Sequence, residues 1–194
     1  MNDLASDIVP TKSNRLEGFI YLAAFALTIP AANWLIGNAG TICLDKGPCL
    51  IPVAPGLMAP SGVLMIGLAL VLRDLVQRRL GAIFAIAAIL AGAFLSAFLA
   101  PPSLVLASSA AFLLSELADF AVYTPLQRRR LVLAVFASGI VGLTIDSAVF
   151  LYLAFGNLDF IAGQIVGKSW MIILVLPAIM WIRQRDERLG IQPA

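Results

Sequence analysis

The chain has 194 residues, of which 61% are hydrophobic and 12% charged, with a mean hydropathy of +0.97 and a net charge of +2. Such values exclude a water-soluble globular domain, because a surface so poor in charge has to face lipid. With no histidine, imidazole metal sites and histidine-based triads are excluded, and two cysteines cannot complete a zinc site.

A helix needs about 20 apolar residues to cross the hydrocarbon core. Six segments are long enough, at 16–36, 54–76, 81–100, 103–125, 131–155 and 159–182. They consume nearly the whole chain, so residues 1–194 read as one all-α, polytopic membrane domain with tails at 1–15 and 183–194. The first segment reads as a span and not as a signal peptide, since its apolar core is long and no cleavage site follows. Pro30 interrupts it just before Asn33 and Trp34. Residues 37–53 follow with CLDKGPC, where Cys43 and Cys49 are either bonded in an oxidising compartment or two free thiols. The second segment opens with PVAPGLMAPSG and reads as a loop or half-helix at its start, loosened by Pro60, Ser61 and Gly62. In the third, Ala88, Gly92, Ser96 and Ala100 recur every four residues, and Gly163 and Gly167 do so in the sixth. Such smooth faces let helices approach closely, so the third span reads as scaffold or as a homo-oligomer contact. Pro177 lies in the sixth span. A proline frees a carbonyl that must be re-satisfied or face a cavity.

Orientation follows from the basic residues. Lys12 and Arg15 precede span one, Arg73, Arg78 and Arg79 follow span two, Arg128–Arg130 follow span four, and Arg183, Arg185 and Arg188 follow span six. Eleven of the thirteen Lys and Arg thus fall on one side, with Lys46 opposite and Lys168 inside span six. The positive-inside rule then puts both termini in the cytoplasm. The arginine triplet reads as a membrane anchor, not as a nucleic-acid contact.

Four ionisable residues lie within spans: Glu116, Asp119, Asp146 and Lys168. Charges there are costly and usually face the bundle interior or a wet cavity. Glu116 and Asp119 are three apart on one helix face, which Tyr123 continues. Asp146 and Lys168 each lie eleven residues from Asn157, the centre of the turn between spans five and six. At about 1.5 Å per residue they sit at equal depth, so an ion pair across the hairpin is available. Three buried acids would then outnumber one buried base.

Five segments in order resemble the bacterial VUT family of queuosine-precursor transporters. AANWL (31–35) is similar to its small residue–Asn–aromatic–Leu pattern, and DLVQRRLG (74–81), with Asp74 and Arg78, to its Asp–Leu…Arg…Gly segment. ELADFAVYTPL (116–126) and IDSAVFLYLAF (145–155) resemble its acidic motifs in spans four and five. Lys168 with LP at 176–177 resembles its sixth span. The cysteine pair departs from the pattern, and Glu116 stands where some members carry glutamine.

The resemblance implies uptake of 7-cyano- or 7-aminomethyl-7-deazaguanine across a bacterial inner membrane, with no cofactor. A carboxylate can accept two donors on the edge of such a base; Glu116, Asp119 or Asp146 would do this. Asn33 and Gln164 would meet the carbonyl or pyrrole edge, and Trp34, Tyr123, Phe150 or Trp170 would stack. Lys168 would complete the site, while Asp74, Arg78, Pro30 and Pro177 would be structural or gating residues. The chain has no phosphate-cradling glycine-rich loop, so it does not itself hydrolyse ATP. It would be a carrier, a facilitator or the substrate-binding subunit of an energy-coupling-factor importer. The last commonly has small residues four apart in span one, whereas here Ala23, Ala24 and Ala26 are followed by Leu27, Thr28 and Pro30. An intramembrane enzyme using paired carboxylates is the other alternative, but neither a Gly-x-Gly-Asp motif nor an acid-rich metal motif is present.

Overall fold

A computed structural model describes residues 12–44 and 48–194. Lys46 lies outside the described residues, as does the side chain of Lys12. The elements run α1 (Lys12–Asn38), β1 (Ile42–Cys43), β2 (Cys49–Ala54), β3 (Leu57–Pro60), α2 (Val63–Leu80) and α3 (Ala82–Leu99). A 3-10 turn (Pro102–Leu104) then leads into α4 (Val105–Leu126), α5 (Leu131–Phe155) and α6 (Ile161–Leu189). Five of the helices, α1, α3, α4, α5 and α6, are long and apolar enough to cross a membrane.

The sixth expected span is where sequence and structure part. Residues 54–62 are not helical; they belong to an antiparallel hairpin with β2 paired to β3 and β1 on the outer edge of β2. The apolar residues of LIPVAPGLMAP suit a strand as well as a helix, and Gly56, with φ of 73°, makes the turn that selects the hairpin. The helix that follows starts at Val63 and carries Arg73, Asp74, Gln77, Arg78 and Arg79, all buried. These charges lower its hydropathy below that of the other five. It tolerates them because it is the central helix, packed against α1, α3, α4, α5 and α6. The protein, not lipid, is its solvent.

Gly81 alone separates α2 from α3, and its φ of 92° is one that a residue with a Cβ rarely adopts. The small residues of α3 are used within the chain: Ala88, Gly92, Ser96 and Ala100 are buried, and a Cβ on Gly92 would meet the Phe112 ring at 2.6 Å. The opposite face, with Ile83, Leu90, Phe94 and Phe98, is exposed and suits lipid. Gly163 and Gly167 do the same for α6, which lies against the Met58 carbonyl and against Val53 and Val63.

The two ends of the bundle are distinct. At one, Glu17 of α1 accepts from Arg79 (3.0 Å) and Arg185 (2.6 Å), and Asp186 of α6 accepts from Arg78 and Arg79 at 2.7–3.0 Å. The Ala194 N–H donates to the Arg78 carbonyl at 3.0 Å, so the chain beyond 183 is docked onto the end of α2. The α4–α5 turn shares a cleft with Arg78 and Arg183 at this end. At the other end the sheet covers the helices. Ser61 Oγ donates to Leu35 O at 2.7 Å, and Trp170 Nε1 to Val53 O at 2.9 Å. Cys43 and Cys49 are disulfide-bonded where β1 meets β2.

Candidate functional site

A cavity with about 570 Å³ of empty space, counting its open mouth, lies in the half of the bundle nearest the sheet. It exists because all six helices and the end of the hairpin converge there, several of them on small or bent backbone. Ala32 and Asn33 come from α1, Pro60 and Gly62 from the hairpin's end, Ser96 from α3 and Ser108 from α4. Asp146 and Phe150, one turn apart on α5, and Gln164 and Lys168, one turn apart on α6, supply its functional wall.

The hairpin of α5 and α6 closes at Gly156, in the left-handed region at φ 70°, and Asn157 Oδ1 accepts the Asp159 N–H at 3.1 Å. That tight turn holds the two helices level. Lys168 Nζ accordingly donates to Asp146 Oδ2 at 2.7 Å, to Ser147 Oγ at 2.8 Å and to Gln164 Oε1. All three ammonium protons are engaged. Lys168 is thus an organiser of the wall, fixing Asp146 and turning the Gln164 amide nitrogen away from itself. Ser115 Oγ adds a contact of 3.5 Å to Asp146 Oδ1. Asn33 Nδ2 gives one of its two N–H groups to Ile29 O at 2.9 Å, which leaves its Oδ1 and a second N–H as the polar groups it can present. The wall therefore offers a carboxylate, an amide donor, an amide acceptor and one aromatic ring.

Glu116 and Asp119 sit elsewhere. Neither lines the cavity. Both face Arg73, which is wholly buried: its Nε donates to Glu116 Oε2 at 3.0 Å, its Nη1 to Gln77 Oε1 at 2.9 Å and its Nη2 to Asp119 Oδ1. Asp74 Oδ1 is 2.9 Å from the same Nη2, and Asp74 Oδ2 accepts from Ser138 Oγ at 3.2 Å. The guanidinium also lies 5.8 Å and 5.7 Å from the ring centres of Phe120 and Tyr123. Arg73 is hence not one of the residues flanking the membrane. It is the counter-ion of the span-four acids, a planar fork whose separate nitrogens reach Glu116 and Asp119, where a lysine would offer one point charge. A small excess of buried acid survives this correction: Asp74, Glu116, Asp119, Asp146 and Asp186 stand against Arg73, Arg78, Arg79 and Lys168, with Arg78, Arg79 and Asp186 grouped at the end of the bundle.

The aromatic residues divide. Phe150 lines the cavity. Tyr123 is buried in the apolar core with its hydroxyl unpartnered. Trp34 and Trp170 are 61% and 47% exposed, outside the cavity, and Trp170 instead secures the sheet. Pro30 and Pro177 lie within α1 and α6 away from the lining, and Arg78 belongs to the Asp186 network. Sequence reasoning did not single out Arg73, Ser115, Ser147 or Asp186 as site residues. Arg73 and Gln77, one turn apart after an apolar run, were the available sign of a charged face turned inward. Among the described residues no three of Cys, Asp and Glu are placed to hold a metal ion.

Residues 61–182, from the foot of the hairpin through most of α6, match the sequence model of a family described as "Putative vitamin uptake transporter". The chain belongs to the vitamin uptake transporter family. With five apolar helices, this family member is a multi-pass membrane protein of small-molecule uptake. No curated protein and no solved structure matches it. The match covers the cavity wall on α4, α5 and α6 and the whole Arg73 cluster, while α1 and the sheet lie outside it.

Proposed function

We propose that the chain imports 7-deazaguanine precursors of queuosine, 7-cyano-7-deazaguanine or its 7-aminomethyl form, across the bacterial inner membrane. α2 would be the sixth crossing, and the end carrying the termini would face the cytoplasm. The observation that supports this most is the meeting of Asp146, Gln164, Asn33 and Phe150 on one cavity. A deazaguanine edge carries ring N–H and amino donors beside a carbonyl acceptor. Asp146 can accept the donors, Gln164 can donate to the carbonyl, Asn33 can meet the pyrrole N–H and Phe150 can stack. A site that pairs such groups discriminates strongly against molecules lacking them, because its own buried groups are then left unpaired. The charged groups of the wall, Asp146 and Lys168, balance each other, so net charge alone does not separate the cationic aminomethyl form from the neutral cyano form. Glu116 and Asp119, held by Arg73 beyond the cavity, would act on transport and not on recognition.

The test is uptake of each labelled precursor into a strain that lacks both precursor synthesis and its own carrier. Cells expressing the chain should accumulate label, and unlabelled precursor should compete where adenine, which lacks both the ring N–H and the carbonyl of that edge, does not. Accumulation no higher than in cells without the chain would contradict the proposal.

A further inference from the structure

The Arg73 cluster lies on the path from the cavity to the end that carries the termini. Ile66 and Phe112 line the cavity, and Arg73 and Glu116 follow them by seven and four residues toward that end. At about 1.5 Å per residue this sets the cluster roughly 6–10 Å beyond the lining. Within it one guanidinium faces three carboxylates, Asp74, Glu116 and Asp119, and no side chain of the four is more than 2% exposed.

Two of the carboxylate oxygens have no donor. Asp74 Oδ1 lies near Arg73 but receives no hydrogen bond, and Asp119 Oδ2 has none either. The Oδ1 atoms of both carboxyl groups approach the same guanidinium nitrogen, Arg73 Nη2. Asp119 Oδ2 is pressed against α5 at Gly142, where a Cβ would come within 3.2 Å of it. Two bare carboxylates on one guanidinium nitrogen repel, and an orphaned buried acceptor is costly. One proton shared between them removes both costs. A Ca²⁺ or Mg²⁺ ion takes about six oxygen ligands, more than two orphan oxygens can provide.

We propose that Asp74 and Asp119 share one exchangeable proton, and that this proton is the coupling ion of transport, working the closure that Arg73 makes below the cavity. The proposal rests on the import reading. The proton forms an O–H bond on one of the Asp74–Asp119 oxygens and leaves from it toward the cytoplasm, the bonding pair staying on the carboxylate oxygen; no other bond changes. Its departure leaves a second full charge to compete for Arg73 and so shifts the guanidinium between Glu116 and the aspartates. The groups around the pair are Arg73 on α2, Glu116 and Tyr123 on α4, Asp146 on α5, and Lys168 on α6 bonded to Asp146. α3 carries no titratable side chain, and Glu17 and Tyr21 of α1 lie at Arg79.

Two measurements on the full chain decide the matter. Infrared difference spectra of the protein in nanodiscs at neutral pH should contain the carbonyl stretch of a buried protonated carboxylic acid, shifted in D₂O. Asp74→Asn and Asp119→Asn should each remove it. Absence of the band from the wild type, or its retention in both variants, overturns the shared proton. In proteoliposomes with a one-unit inward pH difference, one proton per substrate supports about tenfold accumulation of labelled 7-cyano-7-deazaguanine. Asp74→Asn should keep exchange of label across the membrane and lose the accumulation. Wild-type accumulation indifferent to the pH difference overturns the coupling. A wild type that moves no precursor at all contradicts the import reading instead, and the infrared band then decides by itself whether the proton is there.

Discussion

Arg73 and Asp119 are forty-six residues apart in the chain and bonded to each other with neither side chain exposed. A buried charge is tolerated only with a partner, and each of these residues makes the other tolerable in the middle of the bundle. The bond ties α2 to α4, and with Glu116 and Gln77 it fixes the rotation of both helices.

Arg73→Gln should therefore destabilise the protein by about 3–5 kcal/mol, since it strands three carboxylates without a cation. Arg73→Lys should cost less. It keeps the charge but cannot reach Glu116 through Nε and Asp119 through Nη2 at once. Thermal unfolding in detergent checks both, and equal loss in the two variants would mean that the charge itself is not what holds the helices.

The hairpin pair invites a mutant cycle. Asp146→Asn leaves Lys168 buried with only neutral partners and should cost several kcal/mol, about 3–5 by the usual measure of a broken buried pair. The double change with Lys168→Met should recover much of that stability but not precursor uptake. A double mutant no more stable than the worse single mutant would refute the pairing energy.

How much of this was legible beforehand differs residue by residue. Counting equal distances from Asn157 put Asp146 and Lys168 level, and they meet at 2.7 Å, because two straight helices from one tight turn keep their register. The same arithmetic could not orient Glu116 and Asp119. Their common face was clear from the three-residue spacing, but what it faced depended on α2, whose start was displaced by the hairpin. Arg73 was misread as a flanking charge because hydropathy treats every arginine as a stop signal, whereas packing on all sides makes one tolerable inside. The sheet was missed for a related reason: a short apolar run does not by itself distinguish strand from helix. Trp34 and Trp170 were chosen for their rings, and ring chemistry carries no information on which way a lipid-facing helix turns them.

Close backbone approach gives a sharper prediction. Gly163→Ala would drive a Cβ into the Met58 carbonyl, which belongs to a strand and cannot swing aside. A destabilisation of about 1–3 kcal/mol is expected, with loss of the sheet's seat on α6. Gly37→Ala, at a position where no atom lies within 4 Å, is the matched control and should be close to neutral.

Topology is open to a direct check. Reporter fusions after Gln127 and after Arg188 should report the same side, the cytoplasm, and a fusion within the loop between Cys43 and Cys49 the other. Opposite signs for Gln127 and Arg188 would show that the α5–α6 pair does not cross and return.

The central claim is that the cavity wall at Asp146 recognises the donor edge of a deazaguanine. Isothermal titration of the purified protein with 7-aminomethyl-7-deazaguanine tests it most directly. Wild type should bind saturably, and Asp146→Asn should weaken binding about 5- to 150-fold, the equivalent of one unpaired buried donor at 1–3 kcal/mol. Trp34→Ala, outside the cavity, should bind as wild type. Wild-type affinity in a folded Asp146→Asn protein, or no saturable binding by the wild type, would contradict the account.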